Sequence, residues 1–162
     1  LTVSDLTVSN GSGTNGGNLY CNGTSSVNAS LALQNAVVSF GAGYSSGGGL
    51  QVEECGATIS DSQFLNNEVA SGDGGGVYVE DGFVTISGSE FSYNTASDGG
   101  AVAQRYIIGV NVTDTWFIGN TGGAVHIQAD GLSWSYAYFS MSCSTPGSGG
   151  MDQNQASGYG GL

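Results

Sequence analysis

The chain has no lysine, one arginine (Arg105) and one histidine (His126), against 13 acidic residues, for a formal net charge of −12. A surface so short of cations is repelled by phosphate backbones and by anionic lipid, which argues against nucleic-acid and membrane-surface roles. No stretch approaches the ~20 apolar residues needed to cross a bilayer. The opening LTVSDLTVSN lacks the basic and apolar regions of a signal peptide. The three cysteines form no CxxC pair, so the usual metal and thioredoxin-type signals are missing. Proline occurs once, whereas glycine occurs 30 times in 162 residues alongside 39% hydrophobic residues. That is enough apolar material for a core, and glycine without a collagen period belongs to repeated turns.

Those turns are regular. Glycine pairs open GGNL at 16, GGGL at 47, GGGV at 74, GGAV at 99, GGAV at 122 and GGM at 149. Units of 23 to 31 residues that tolerate insertions mark a solenoid, in which each unit buries its apolar face only against its neighbours. Within a unit the apolar residues alternate with period 2, as strands require. The first run turns Leu50/Val52, Val77/Val79 and Val125/Ile127 inward, with Gln104 breaking the pattern. The second turns in Ala57/Ile59, Val84/Ile86, Val110/Val112 and Leu132/Trp134. Five residues later an aromatic opens the third run, which predicts a stacked column of Phe64, Phe91, Phe117 and Phe139. The expectation is one all-β domain over residues 1–162, a right-handed parallel β-helix with three short strands per coil and about six coils. Asp5, Asn35, Asp61, Gly88 and Asp114 are expected at one corner; Asn67, Asn94 and Asn120 are expected at another, as a ladder satisfying backbone groups that the bend leaves open.

FLNN, FSYN and FIGN, combined with GGAV twice and its variants GGGL, GGGV and GGNL, resemble the FxxN and GGA[ILV] repeats of the chlamydial polymorphic membrane proteins. The resemblance is carried mainly by residues 47–127. It implies a surface-exposed β-helical shaft with adhesive or structural duty and supplies no catalytic residues. Because the chain starts and stops inside a repeat, it reads as a segment of something longer.

Candidate sites lie outside the repeat's inward positions. Asn10, Asn22, Asn28 and Asn111 head N-x-[ST] sequons and are expected to face solvent, where glycans can be attached. Cys21 faces inward and Cys55 follows one coil later, a spacing compatible with a disulfide, while Cys143 is several coils away. Glu53 and Glu54 fall one coil below Glu80 and Asp81, a candidate Ca²⁺ edge, with a solvated acidic edge as the alternative, its repulsion partly relieved by an Arg105–Glu80 ion pair. No other cofactor is expected. A rank of hydroxyl pairs on the second run (Thr2/Ser4, Thr58/Ser60, Thr85/Ser87, Asn111/Thr113 and Ser133/Ser135) is the pattern an ice-binding solenoid would present. A second outward column, Tyr20, Gln51, Tyr78, Ala103, His126 and Asp152, could touch a glycan. With few cations to neutralise a uronate, an acidic polysaccharide is a poor substrate. The expected role is therefore a structural or adhesive part of a secreted or cell-surface glycoprotein, with no enzymatic activity. Its expected partners are covalent glycans and further coils, or copies stacked end to end into a filament. A carbohydrate-active enzyme, a glycan-binding module and an ice-binding solenoid are the rivals.

Overall fold

The computed structural model describes residues 1–24, 29–106, 108–128, 137–145, 147 and 149–155. Over these the chain is a parallel β-helix with no helical segment. Sheet A stacks Thr2–Ser4, Ala29–Gln34, Cys55–Ser60, Phe83–Ser87, Ile108–Thr113 and Ala137–Ser142. Sheet B stacks Thr7–Ser9, Val37–Ser39, Gln63–Leu65, Glu90–Ser92, Trp116–Ile118 and Gly150–Asp152. Sheet D stacks Leu19–Asn22, Leu50–Glu53, Val77–Glu80, Val102–Arg105 and Val125–Gln128. Six strands in two sheets and five in the third make five full coils and a partial one.

Three runs per coil were expected, and the early coils have a fourth. Sheet C joins Ser12–Asn15, Ala42–Ser46 and Glu68–Val69. Beyond it the same side continues only as isolated bridges, such as Glu68 to Thr95 and Asp73 to Asp98. The reason lies in the segment between the FxxN corner and the glycine pair, which has no alternating apolar pattern and pairs only where its length permits.

The alternation fills the core as expected, with Leu50, Val52, Ile59, Val77, Val79, Val84, Ile86, Val110 and Val112 fully buried. Phe64 and Phe91 stack with centroids 4.8 Å apart, and Phe91 and Phe117 with centroids 5.4 Å apart. Each such ring contributes about 1.5–3 kcal/mol by leaving water. Phe139 does not continue this column: it pairs in register with Val110 in sheet A, and Met151 takes the place beside Phe117. The strand after Val125–Gln128 begins only at Ala137 and the next at Gly150, later than in the earlier coils, so the aromatic five places after Trp134 matched by coincidence. Leu132 and Trp134 themselves lie outside the described residues.

Two buried polar columns hold the corners. Asn67, Asn94 and Asn120 are wholly buried. Each Oδ1 takes the backbone N–H of the ladder residue one coil before, as in Asn67 N to Asn94 Oδ1 at 3.0 Å and Asn94 N to Asn120 Oδ1 at 2.9 Å. Each Nδ2 donates to a carbonyl of the preceding aromatic column, as Asn94 does to Phe64 O at 2.9 Å. The amides also bond to one another, Asn67 Nδ2 to Asn94 Oδ1 at 3.0 Å. At the corner between sheets A and B, Ser62, Ser89 and Thr115 form a second ladder, each hydroxyl donating to a carbonyl two residues back and accepting an N–H from the coil before. A buried backbone group without a partner costs about 1–3 kcal/mol, which is why these positions are polar inside an apolar shaft.

Each corner is closed by one left-handed residue. Asp5, Asn35, Asp61, Gly88 and Asp114 have φ between 48 and 56°. The third letter of FxxN repeats this at Asn66 (54°), Tyr93 (56°) and Gly119 (61°), with Phe40 (52°) equivalent. The first glycine of the pairs at 16, 47, 74, 99 and 122 does the same, as at Gly74 (70°), whereas Gly149 does not. The second glycine serves differently: a Cβ on Gly75 would meet Gly100 O at 2.5 Å, so the coils touch there backbone to backbone.

Candidate functional site

The outward column of the first run is in register as Tyr20, Gln51, Tyr78, Ala103 and His126. Asp152 does not join it, because its strand belongs to sheet B and pairs with Ile118. Nor is the column open to solvent along its length: Gln51, Tyr78 and Ala103 are buried. Bends around Ser45–Ser46 and Ser71–Asp73 fold back over them, and Ser46 Oγ donates to Gln51 Oε1 at 2.7 Å. The result is a cleft of about 420 Å³ between these bends and the edge of sheet D, lined by Ser46, Gln51, Glu53, Asp73, Tyr78, Glu80 and Arg105 among others.

Three carboxylates, Glu53, Asp73 and Glu80, line the cleft. Glu53 and Glu80 stack in register, and Arg105 is the next residue of that column. Arg105 does not pair with Glu80, as the sequence suggested, but with Asp73, Nε to Oδ2 at 3.3 Å, and it also donates to Gln128 Oε1 at 3.2 Å. Asp73 is only 9% exposed, so it has the greater need of a counter-charge. Burial pushes the Asp73 carboxyl up, and Arg105 only partly offsets this. Burial also raises Glu80, reinforced by Glu53 and Asp81. Tyr78, in the same cleft, is pushed well above the ordinary phenol range by burial and then by Glu80. Tyr20 donates its hydroxyl to Glu53 and is raised by burial and by that bond. These groups can accept hydrogen bonds from a hydroxyl-rich ligand, and two of them hold a proton more readily than ordinary carboxyls.

The remaining candidates are scattered. Glu54 and Asp81 occupy left-handed corner positions (φ 48 and 47°) beside Glu53 and Glu80. Among the described residues, no three of His, Cys, Asp and Glu gather as a metal site would require. Asn10 is exposed at a left-handed corner, its Nδ2 donating to Ser9 Oγ at 3.0 Å. Asn22 is exposed and donates to the Tyr20 hydroxyl. Asn111 is partly exposed between buried Val110 and Val112. Asn28 lies outside the described residues. Cys21 and Cys55 are joined as a disulfide with Cα atoms 6.1 Å apart, and Cys143 is a free, exposed thiol. The hydroxyl rank is in register at Thr58, Thr85 and Asn111 and at Ser60, Ser87 and Thr113, but Ala32 and Gln34 enter it from the second coil. Its last pair is Ser140/Ser142, whereas Ser133 and Ser135 lie outside the described residues.

Sequence reasoning missed Asp73, Asn18 and the Ser62–Ser89–Thr115 ladder. The ladder had a signal, a small hydroxyl residue directly after the corner residues Asp61, Gly88 and Asp114; Asp73 had none, because its burial depends on how a loop folds back. The chain matches no family model, no curated protein and no solved structure.

Proposed function

We propose that the chain is a structural or adhesive segment of a secreted or cell-surface glycoprotein, a shaft that presents varied outward residues on a uniform interior and assembles with further coils or copies into an extracellular fibre. One observation carries this reading: from the third to the fifth coil the inward columns repeat almost unchanged, with Phe64, Phe91 and Phe117 above Asn67, Asn94 and Asn120, while the outward residues of the same coils differ. The likeness of FxxN and GGA[ILV] to surface-protein repeats supports it, as do the exposed Asn10 and Asn22. Localisation outside the cell follows from this reading, as do glycans on the sequons.

A carbohydrate-active enzyme is the second reading, favoured by Asp73 and Glu80 sharing one cleft with Tyr78 and having raised carboxyl pKa. Incubation with pectin, alginate, hyaluronan and a neutral glucan separates the two. The shaft reading expects no new reducing ends and no unsaturated uronate. Release of either, lost in both Asp73→Asn and Glu80→Gln, would replace it with the enzyme.

A further inference from the structure

The outer face of sheet B and its corner gather three exposed large aromatic side chains, where Tyr20, Tyr44 and Phe83 stand singly on the other three sheets. Phe40 is 57% exposed, Tyr93 59% and Trp116 39%. Phe40 and Tyr93 stand at the third letter of the FxxN corner, where the chain is left-handed (φ 52 and 56°) and neighbouring coils use Asn66 and Gly119. Bulky residues are uncommon in that conformation and are strained by it, so corner geometry alone selects against both aromatics. Strain retained at exposed aromatics points to use rather than to folding.

The rings are also laid down in a particular way. Tyr93 lies over Gly119 of the next coil, so close that a Cβ there would sit 2.7 Å from the ring. Trp116 lies over Gly150 in the same manner, again 2.7 Å from a would-be Cβ. Tyr93 and Trp116 therefore rest along the shaft on bare backbone, held in place before any ligand arrives. Phe40 and Tyr93 are two coils apart, which at the inter-strand spacing is roughly 10 Å. Beside them, on the sheet A side of the same face, runs a groove of about 590 Å³ whose lining includes Asp61, Gln63, Glu90 and Trp116. Gly88 interrupts the corner column here, and the Asp61 carboxylate leans across the gap, within 2.6 Å of where a Cβ on Gly88 would lie.

The chemistry of this face selects its partner. It holds aromatic platforms and acceptors but no cation, since the chain's one arginine is paired with Asp73 elsewhere. A polyanion is repelled. An uncharged chain of sugar rings offers apolar C–H faces to the rings and hydroxyl donors to the carboxylates and amides. We infer that the sheet B face binds a neutral polysaccharide lying along the shaft axis, its sugar rings stacking on Phe40, Tyr93 and Trp116 and its hydroxyls donating to Asp61, Gln63 and Glu90. The inference rests on the adhesive reading and gives it a ligand class.

Native gels containing a soluble neutral β-glucan or a galactomannan test this through retardation of the acidic protein. The parent chain is expected to be retarded by at least one polymer, with at least tenfold weaker retardation for Trp116→Ala and for the double variant Phe40→Asn/Tyr93→Gly. The double variant installs residues of the kinds that neighbouring coils use at that corner, so it is expected to unfold no earlier than the parent, and its loss of binding would not reflect misfolding. Equal retardation of parent and double variant overturns the inference. So does retardation by polylysine alone, abolished by salt, which would assign the face to a cationic partner. Absence of retardation by either polymer, with adhesion of the parent to a cell or matrix surface retained, overturns the ligand class and leaves the adhesive reading standing. New reducing ends in the gel would overturn the adhesive reading itself.

Discussion

The third to fifth coils and the first two solve the same problem with different residues. In the later coils the column is Phe64, Phe91 and Phe117, and three residues on Asn67, Asn94 and Asn120 close the bend from within. In the first two coils the apolar positions are Val8 and Val38, and the ladder positions are Gly11 and Gly41, which have no amide to offer. Asn18, the variant letter of GGNL, fills the gap. Its Oδ1 accepts Gly11 N at 2.7 Å, and its Nδ2 donates to Ser39 O at 2.9 Å. The disulfide from Cys21 to Cys55 then ties the first coil to the third strand of sheet A. The ladder thus requires an amide at a place in space, and which segment supplies it is free to change.

The comparison breaks most visibly at its regular end. Asn94→Ala strips Phe64 O and Asn67 N of buried partners, each worth about 1–3 kcal/mol, so a loss of about 2–6 kcal/mol is expected in urea unfolding. Asn18→Ala sharpens the contrast: its partners are only partly buried, and the expected loss is about 1–2 kcal/mol by the same measurement. A loss as large as that of Asn94→Ala would show that the patched coils depend on their ladder as heavily as the regular ones.

The smallest effect comes from the cleft and is set by pH. Asp73 and Glu80 have raised carboxyl pKa values, so the folded chain binds their protons more readily than the unfolded chain does. Their contribution to stability is therefore present at low pH and is lost as pH rises through the folded values. Lowering the pH from 7 toward 5 is expected to raise the thermal midpoint by no more than about 2 °C, given solvent screening of a partly exposed group, and Glu80→Gln is expected to reduce that rise.

The parts of the fold that repeat were legible in the chain. Leu50/Val52 and Val77/Val79 alternate because one face of each strand is buried, and Asp61 and Asp114 mark corners because their conformation is left-handed. What was not legible depends on the connections. Insertions at corners cost little, so the spacing that placed Phe64 and Phe91 misplaced Phe139. Alternation distinguishes the two sides of a strand but is blind to a bend that folds over the outer side, so Gln51 and Tyr78 read as exposed and the cleft beside them went unseen. Arg105 was assigned to Glu80 by register, although burial of Asp73 decides its partner.

The coil-to-coil hydrogen bonds, such as Gly49 N to Gly75 O at 3.0 Å and Val77 N to Ala101 O at 2.8 Å, run along the shaft. Tension applied along that axis therefore meets them in series and unzips one coil at a time, whereas a load across it shears many at once. The Cys21–Cys55 link is a covalent stop on that unzipping: a chain peeled from its first strand pays out as far as Cys21, after which the 34-residue loop to Cys55 stays closed and the pull passes directly to the next coil.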